Sequence, residues 1–316
     1  MKRKLAWILA ASMMFSLSAC GGGEEAPAVT EMSLETVYSV EEYIDFTLKK
    51  ISTTDLIAAP LGNGGGYTND SEGETYIDVL FEVTNTSAET INSDDLMVFT
   101  AKNAEDAIYS GDLYAVETDN STYVSSWEDI NPKETVRFHA AVSVPKDEAD
   151  LALNFSVNGE QFTIPYFTGD IVRNAEELDV DSVIESEDYA TLTFKGIEYT
   201  DDVLPSDISS WYNHYEIDNP SNTYLVVKYD IMNLQSTAKK AETFVGVNAI
   251  YMNKYNYDGF LVVEETDRTG FNSDWEEIAP LTERHFYHLI EVPKSVIENP
   301  VELTIYFDGE EYIYAD

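Results

Sequence analysis

Cysteine and histidine are nearly absent from this chain, and basic residues are scarce. Of 316 residues one is cysteine, Cys20, and four are histidine: His139, His214, His285 and His288. A single thiol excludes a disulfide framework and any zinc site built from several cysteines. There is no His-Glu-x-x-His motif and no Gly-x-Ser-x-Gly elbow, so neither a zinc protease nor an α/β-hydrolase is signalled. Strand alternation puts His288 on an inward face and His285 on an outer one, where packing and surface roles are the ordinary ones. Eighteen Lys and Arg stand against 59 Asp and Glu, a net charge of −41. That balance excludes nucleic acid as a partner, because phosphate recognition needs basic patches. It also opposes adsorption to anionic headgroups, and it reads most simply as a well-solvated exterior. Gly62-Asn63-Gly64-Gly65-Gly66 lacks a following lysine and helix, so it reads as a flexible loop and not as a phosphate cradle. No long segment carries a helical period. Apart from the N-terminus, no stretch is apolar enough to approach the ~20 residues of a membrane span.

The N-terminus is distinctive. Met1-Lys2-Arg3-Lys4 is basic, Leu5 to Leu17 is apolar but too short to span a bilayer, and Leu17-Ser18-Ala19-Cys20 closes the segment with small residues. This resembles the lipobox of bacterial lipoproteins. The resemblance implies that residues 1–19 are a cleaved signal, that Cys20 carries the lipid, and that the membrane is a partner through that lipid. Gly21-Gly22-Gly23-Glu24-Glu25-Ala26-Pro27-Ala28 then reads as a flexible, solvated tether, expected over 20–34.

With 44% apolar and 12% aromatic residues the chain is not disordered. It repeats itself. Thr75-Tyr76-Ile77-Asp78-Val79-Leu80-Phe81-Glu82-Val83-Thr84-Asn85 matches the segment from Thr223 to Asn233 at an offset of 148. The same offset aligns Gly111 with Gly259, Trp127 with Trp275, and Val144-Pro145-Lys146 with Val292-Pro293-Lys294. Two copies at this period mean a domain duplication and not a solenoid. The expected division is 35–167 and 179–316, with a linker at 168–178 in which Arg173-Asn174-Ala175-Glu176-Glu177 is suited to one helical turn. The aligned tryptophans are expected to serve the core or the fold.

Each copy reads as β. Ile77, Val79, Phe81 and Val83 alternate with polar neighbours, as do Val136, Phe138, Ala140 and Val142, a period that lays one set on one sheet face. Asn158-Gly159 and Asp308-Gly309 are hairpin signals, and Tyr109-Ser110-Gly111 and Tyr257-Asp258-Gly259 read as similar turns. About seven strands per copy are expected. The fold class is all-β: two tandem Ig-like antiparallel β-sandwiches after a lipoprotein signal and tether.

The order of a strand ending in Asn85, Gly111, Asn131-Pro132-Lys133-Glu134-Thr135-Val136, then Val144-Pro145-Lys146 is similar to that of telokin-like, Ig-type domains of unknown function. These occur in surface lipoproteins of Gram-positive bacteria and belong with the immunoprotective extracellular antigen sandwiches. The second copy puts Leu281 where a glycine-like turn residue is usual. The resemblance implies a fold and a place, the extracellular face of a Gram-positive cell membrane. It implies no reaction, no cofactor and no catalytic residue.

Two further features bear on function. Asn256-Tyr257-Asp258-Gly259 with Glu265 partly mimics an EF-hand loop, but Lys254 would stand where the first carboxylate ligand is required, so a hairpin turn is the plainer reading. Acidic loops such as Asp179, Asp181, Glu185, Glu187 and Asp188 carry oxygens suited to weak Ca²⁺ binding, with solvated charge as the default. The strongest binding candidate is Ser209-Ser210-Trp211-Tyr212-Asn213-His214-Tyr215, in the long loop before the Tyr224 strand. Its residues Trp211, Tyr212, His214 and Tyr215, with Tyr251, Tyr255 and Tyr257 from a nearby hairpin, have the composition of protein and glycan contacts. The alternative is that these rings pack beneath their own loop. The expected role is therefore a non-enzymatic surface lipoprotein binding a protein or glycan, or else a spacer or accessory subunit of an envelope complex.

Overall fold

Alternation with a period of two produces half-buried strands, and here it does so along nearly the whole chain. The computed structural model describes residues 28–61, 66–118, 122–124, 127–148, 150–209, 211–252 and 255–315. The signal, Cys20, Gly62 to Gly65, Ser210 and Lys254 lie outside the described residues. Within the described residues there is no α-helix, only two single 3₁₀ turns, and no helix is long and apolar enough to cross a membrane.

The first sandwich is framed by β1 (Val37–Val40), β2 (Ile44–Thr54), β3 (Glu74–Asn85), β4 (Val98–Lys102), β5 (Ile108–Ser110), β6 (Leu113–Thr118), β7 (Thr135–Pro145), β8 (Leu151–Val157) and β9 (Glu160–Phe167). The second is framed by β10 (Val183–Ser186), β11 (Ala190–Thr200), β12 (Asn222–Asn233), β13 (Val245–Tyr251), β14 (Tyr255–Tyr257), β15 (Phe260–Glu264), β16 (Glu283–Pro293), β17 (Val301–Phe307) and β18 (Glu310–Ala315). One sheet of the first runs β9-β8-β4-β5, and one sheet of the second runs β18-β17-β13-β14. The facing sheets run β6-β7-β3-β2 with β1 on β2, and β15-β16-β12-β11 with β10 on β11. The strand orders coincide, and each sandwich is all-β and mainly antiparallel. Nine strands frame each sandwich, above the seven expected per copy, and loops contribute further two- and three-residue bridges.

The alternation fills the cores as expected. Ile77, Val79, Phe81 and Val83 bury against Phe99, Phe138 and Phe155 in the first sandwich, and Leu225, Val227, Tyr229 and Ile231 bury with Phe244, Phe286 and Phe307 in the second. A β-bulge falls at the same place in both, between Leu48 and Lys50 and between Phe194 and Gly196. At the two hairpins, Asn158 and Gly159 have φ of 45° and 88°, and Asp308 and Gly309 have 48° and 76°. Positive φ at both central residues matches the twist of the flanking strands.

Several expectations need correction. Tyr109-Ser110-Gly111 and Tyr257-Asp258-Gly259 are not turns within a sheet: β5 and β6 belong to opposite sheets, as do β14 and β15, so the chain crosses the sandwich there. A Cβ on Gly111 would stand 2.9 Å from the Ala141 carbonyl oxygen, and one on Gly259 2.4 Å from that of Leu289. The glycines mark close approach at the crossing. The tether expected over 20–34 does not extend through its last residues, because Val29–Glu31 pairs in parallel with β9 and Met32 is buried in the core. The linker makes no helical turn. Val172–Arg173 adds to the edge of β2, and Glu176–Glu177 adds in parallel to β18. Unsatisfied edges on both sheets offer this polar segment hydrogen bonds that an isolated helical turn lacks.

The sandwiches meet face to face. The outward side of β2, β3, β6 and β7 carries Lys50, Ser52, Asp78, Leu80, Ala115, Glu117, His139 and Ala141, paired across the ladder, and all except Lys50 are buried to within a tenth of full cover. The cover is the outward side of β13, β17 and β18. Lys50 reaches Glu311 at 2.7 Å, Arg137 reaches Glu310 at 3.4 Å, and Arg173 holds Glu302 at 2.6 Å and Glu311 at 2.8 Å. A Cβ on Gly246 would lie 2.3 Å from the Pro60 carbonyl oxygen, so the loop after Ala59 rests on β13.

Candidate functional site

One end of the corresponding outward face of the second sandwich is apolar. Tyr224, Val226, Val262 and Leu289 form it, and the chain's own segment 201–217 closes over it with Val203, Tyr215 and Ile217. Asp202–Val203 pairs with Tyr215–Glu216 at the base of this flap. Asn213 pins its middle: its side-chain Oδ1 accepts from the Phe271 main-chain amide at 2.7 Å, and its own main-chain amide donates to the Thr269 carbonyl at 3.1 Å. Burial of the underside holds the flap, and its upper side is left to solvent.

The predicted binding residues divide accordingly. Tyr215 packs on Phe260 and Phe271 with centroids 5.3 and 5.9 Å apart, so it serves the underside. Trp211 stands 91% exposed at the top. Tyr212 lies edge-on to His214 at 5.6 Å, and His214 Nδ1 meets Asp202 Oδ1 at 2.5 Å. The hydrogen bond to Asp202 raises the His214 pKa above its ordinary value. Tyr255 and Tyr257 are on the edge strand of the opposite sheet and do not join this group. Tyr251 is fully buried, its hydroxyl 2.8 Å from that of Tyr199, with Tyr257 edge-on beside it at 5.6 Å.

Trp127 and Trp275 are exposed, 73% and 65%, contrary to a core role. Each precedes a two-residue strand whose isoleucine, Ile130 or Ile278, is what enters the core. Trp275 instead carries Lys240 Nζ 4.1 Å above its ring, a surface cation–π contact. Among the described residues no three His, Cys, Asp or Glu side chains converge as a metal site; of the acidic loop, Asp181 is held by Lys195 at 2.6 Å.

The sequence reading missed a buried polar cluster beneath the second sandwich. His139 Nδ1 lies 3.0 Å from Asp78 Oδ1, and its Nε2 lies 2.7 Å from Glu117 Oε1. Burial alone would lower the imidazole pKa, but carboxylates on both ring nitrogens outweigh it and raise the value to about 10. Glu117 Oε2 has no hydrogen-bond partner among the described residues. His288, inward as expected, is pushed down to about 3 by burial. The only sequence signal for the cluster was that Asp78 and His139 fall on the outward register of neighbouring strands.

Residues 43–163 match the family described as "Domain of unknown function (DUF4352)". An uncharacterized β-sandwich protein from Clostridium difficile 630 is 30% identical; the match covers 45% of this chain and 94% of that one, with a TM-score of 0.42. A conserved hypothetical protein from Bacillus anthracis is 16% identical over 42% of this chain and 94% of that one, with a TM-score of 0.30. No curated protein matches. Through its first sandwich, the chain belongs to a β-sandwich family of unknown function, the one described as DUF4352.

Proposed function

We propose that the protein is a lipid-anchored extracellular lipoprotein, attached through Cys20, that presents the flap of its second Ig-like sandwich to a protein or glycan. It performs no catalysis in this reading and needs no cofactor. The observation that carries it is Trp211: a flap closed by apolar burial underneath holds a nearly fully exposed indole on top. Rigid exposed aromatics contribute contact area at low entropy cost. The basic, apolar and small-residue run ending at Cys20 supports the anchor. The test is a binding screen of the full chain against matrix proteins, mucin glycans and cell-wall fragments, with Trp211→Ala/Tyr212→Ala beside it. Saturable binding lost in the double variant is the expected result. Binding that persists unchanged in the double variant overturns the flap as the site. For the anchor, Cys20→Ala is expected to move the protein from membranes to the medium.

A spacer or accessory role in an envelope complex is the second reading. It is favoured by the sandwich interface, where a Lys50–Glu311–Arg173–Glu302 network and two linker strands fix the domains against each other. Crosslinking at the native membrane separates the two, since an accessory subunit is recovered with the same neighbours after Trp211→Ala/Tyr212→Ala.

A further inference from the structure

Beside the flap, between Ser206 and the outward side of β11, β12 and β16, lies an open pocket of about 260 Å³. Lys195, Lys228, Arg268 and His285 line it, with Asp230 as its one carboxylate. In a chain with 18 basic residues against 59 acidic ones, this convergence runs against composition.

The same surface in the first sandwich already receives carboxylates. There, Lys50 and Arg137 take Glu311 and Glu310 from the second sandwich. His285 occupies the register of Arg137, each 148 residues from the other, and Lys228 lies in the ladder row of Lys50, one strand across: Lys50 pairs with Leu80, and Gly196 with Lys228. The row keeps its cation, and among the described residues no second hairpin like that of Glu310 and Glu311 lies on it.

The carboxylates present leave capacity. Lys195 meets Asp181 at 2.6 Å and Asp230 at 3.9 Å, and Lys228 meets Glu198 at 2.8 Å. These are solvent-exposed pairs of the kind that contribute about 0–1 kcal/mol and exchange readily. Arg268 Nη2 donates to His285 Nε2 at 3.3 Å, while His285 Nδ1 faces Asp230 Oδ1 at 2.5 Å. The guanidinium is thus aligned by an imidazole, with donors left for a bidentate acceptor. Its main chain is fixed, the amide donating to Glu265 and the carbonyl accepting from Asp207.

We infer that this pocket binds a carboxylate carried by a ligand, with Arg268 and Lys228 as its principal partners. The site is separate from the upper side of the flap, so the inference does not rest on Trp211.

The test is an NMR titration of the full chain with glutarate and, in parallel, with sulfate. Saturable shifts at Arg268, Lys228 and His285 with glutarate are expected, weakened roughly tenfold or more in Arg268→Ala and in Lys228→Ala and unchanged in Trp211→Ala. Thermal melts of both variants check that each is folded; either one alone suffices for the comparison. Absence of saturable shifts, or shifts unaltered in the folded variants, overturns the site. Sulfate binding as tightly as glutarate overturns the carboxylate assignment.

Discussion

Asn85 and Asn233, 148 residues apart, make the same buried hydrogen bonds. Asn85 Nδ2 donates to the carbonyls of Ile130 at 2.8 Å and Glu89 at 2.9 Å; Asn233 Nδ2 donates to those of Ile278 at 2.8 Å and Thr237 at 3.0 Å. Each main-chain carbonyl also accepts from the following turn, from Lys133 and from Leu281. Replacing either asparagine by alanine strands the buried carbonyl of Ile130 or Ile278, and an unsatisfied group costs about 1–3 kcal/mol. Asn85→Ala and Asn233→Ala are each expected to lower stability by about 1–3 kcal/mol. Urea denaturation measures this, and a loss below about 1 kcal/mol contradicts it.

The Lys133 and Leu281 turns have φ of 69° and 55°. An L-residue in this region costs about 1–2 kcal/mol, and Leu281 is also exposed. Leu281→Gly is expected to raise the melting temperature slightly, because relief of strain exceeds the entropy cost of about 0.4–1 kcal/mol that glycine adds to the unfolded chain.

Two buried histidines bend the stability curve in opposite directions. The ordinary imidazole value is ~6.5. His139, raised to about 10, contributes stability that is complete below ~6.5 and is lost as pH rises toward 10. His288, lowered to about 3, stays neutral in the fold, so stability is complete above ~6.5 and is lost as pH falls toward 3. Melting temperature followed against pH is expected to peak near neutrality. His139→Gln should flatten the alkaline limb and His288→Leu should reduce the acidic one; limbs unchanged by these substitutions refute the assignment.

Glu311 joins two cations across the interface. Burial raises its pKa, but Lys50 and Arg173 outweigh that and hold it below the usual carboxylate range. Glu311→Gln leaves Lys50 without its carboxylate, at a cost of about 3 kcal/mol. Calorimetry is expected to resolve two unfolding transitions in the variant and one in the parent.

Gly246→Ala tests the same contact sterically. Its Cβ would overlap the Pro60 carbonyl, a backbone atom that cannot swing away. Small-angle scattering should report a longer, looser particle, while far-UV dichroism stays that of two intact sandwiches. An unchanged scattering profile argues against the face-to-face contact.

Trp127, Trp211 and Trp275 are all exposed. In a Trp7→Phe chain these three remain, so fluorescence should be quenched efficiently by acrylamide in the folded state and should change little on unfolding. A strong red shift on unfolding contradicts this.

The inward half of each strand was legible in the sequence, since Ile77, Val79, Phe81 and Val83 declare a sheet face by period alone. The outward half was not. Nothing near Asp78, Glu117 and His139 in the sequence marks them as covered, because what covers them, the strands around Tyr306, comes more than 150 residues later. The linker failed for a related reason: composition at 173–177 speaks of a turn, and only the free edges of β2 and β18 make it extended. Equivalence misled at Trp127 and Trp275, where the turn is kept for its neighbouring isoleucine. In the candidate site, Trp211 and Tyr212 fall on the flap and Tyr215 packs beneath it, while Lys195, Lys228, Arg268 and His285 are spread over 90 residues and meet only in the fold.

The face-to-face contact also sets a height. From the strand Val29–Glu31 one passes through its own sheet, the β2–β3–β7 sheet, the β13–β17–β18 sheet and the β11–β12–β16 sheet before reaching the flap. At ~10 Å between packed sheets this is roughly 30 Å of solid protein. Trp211 therefore stands at a fixed elevation above the point where the chain enters its first sheet. The molecule works as a gauge block: its packed sheets set how far its upper surface is from its base.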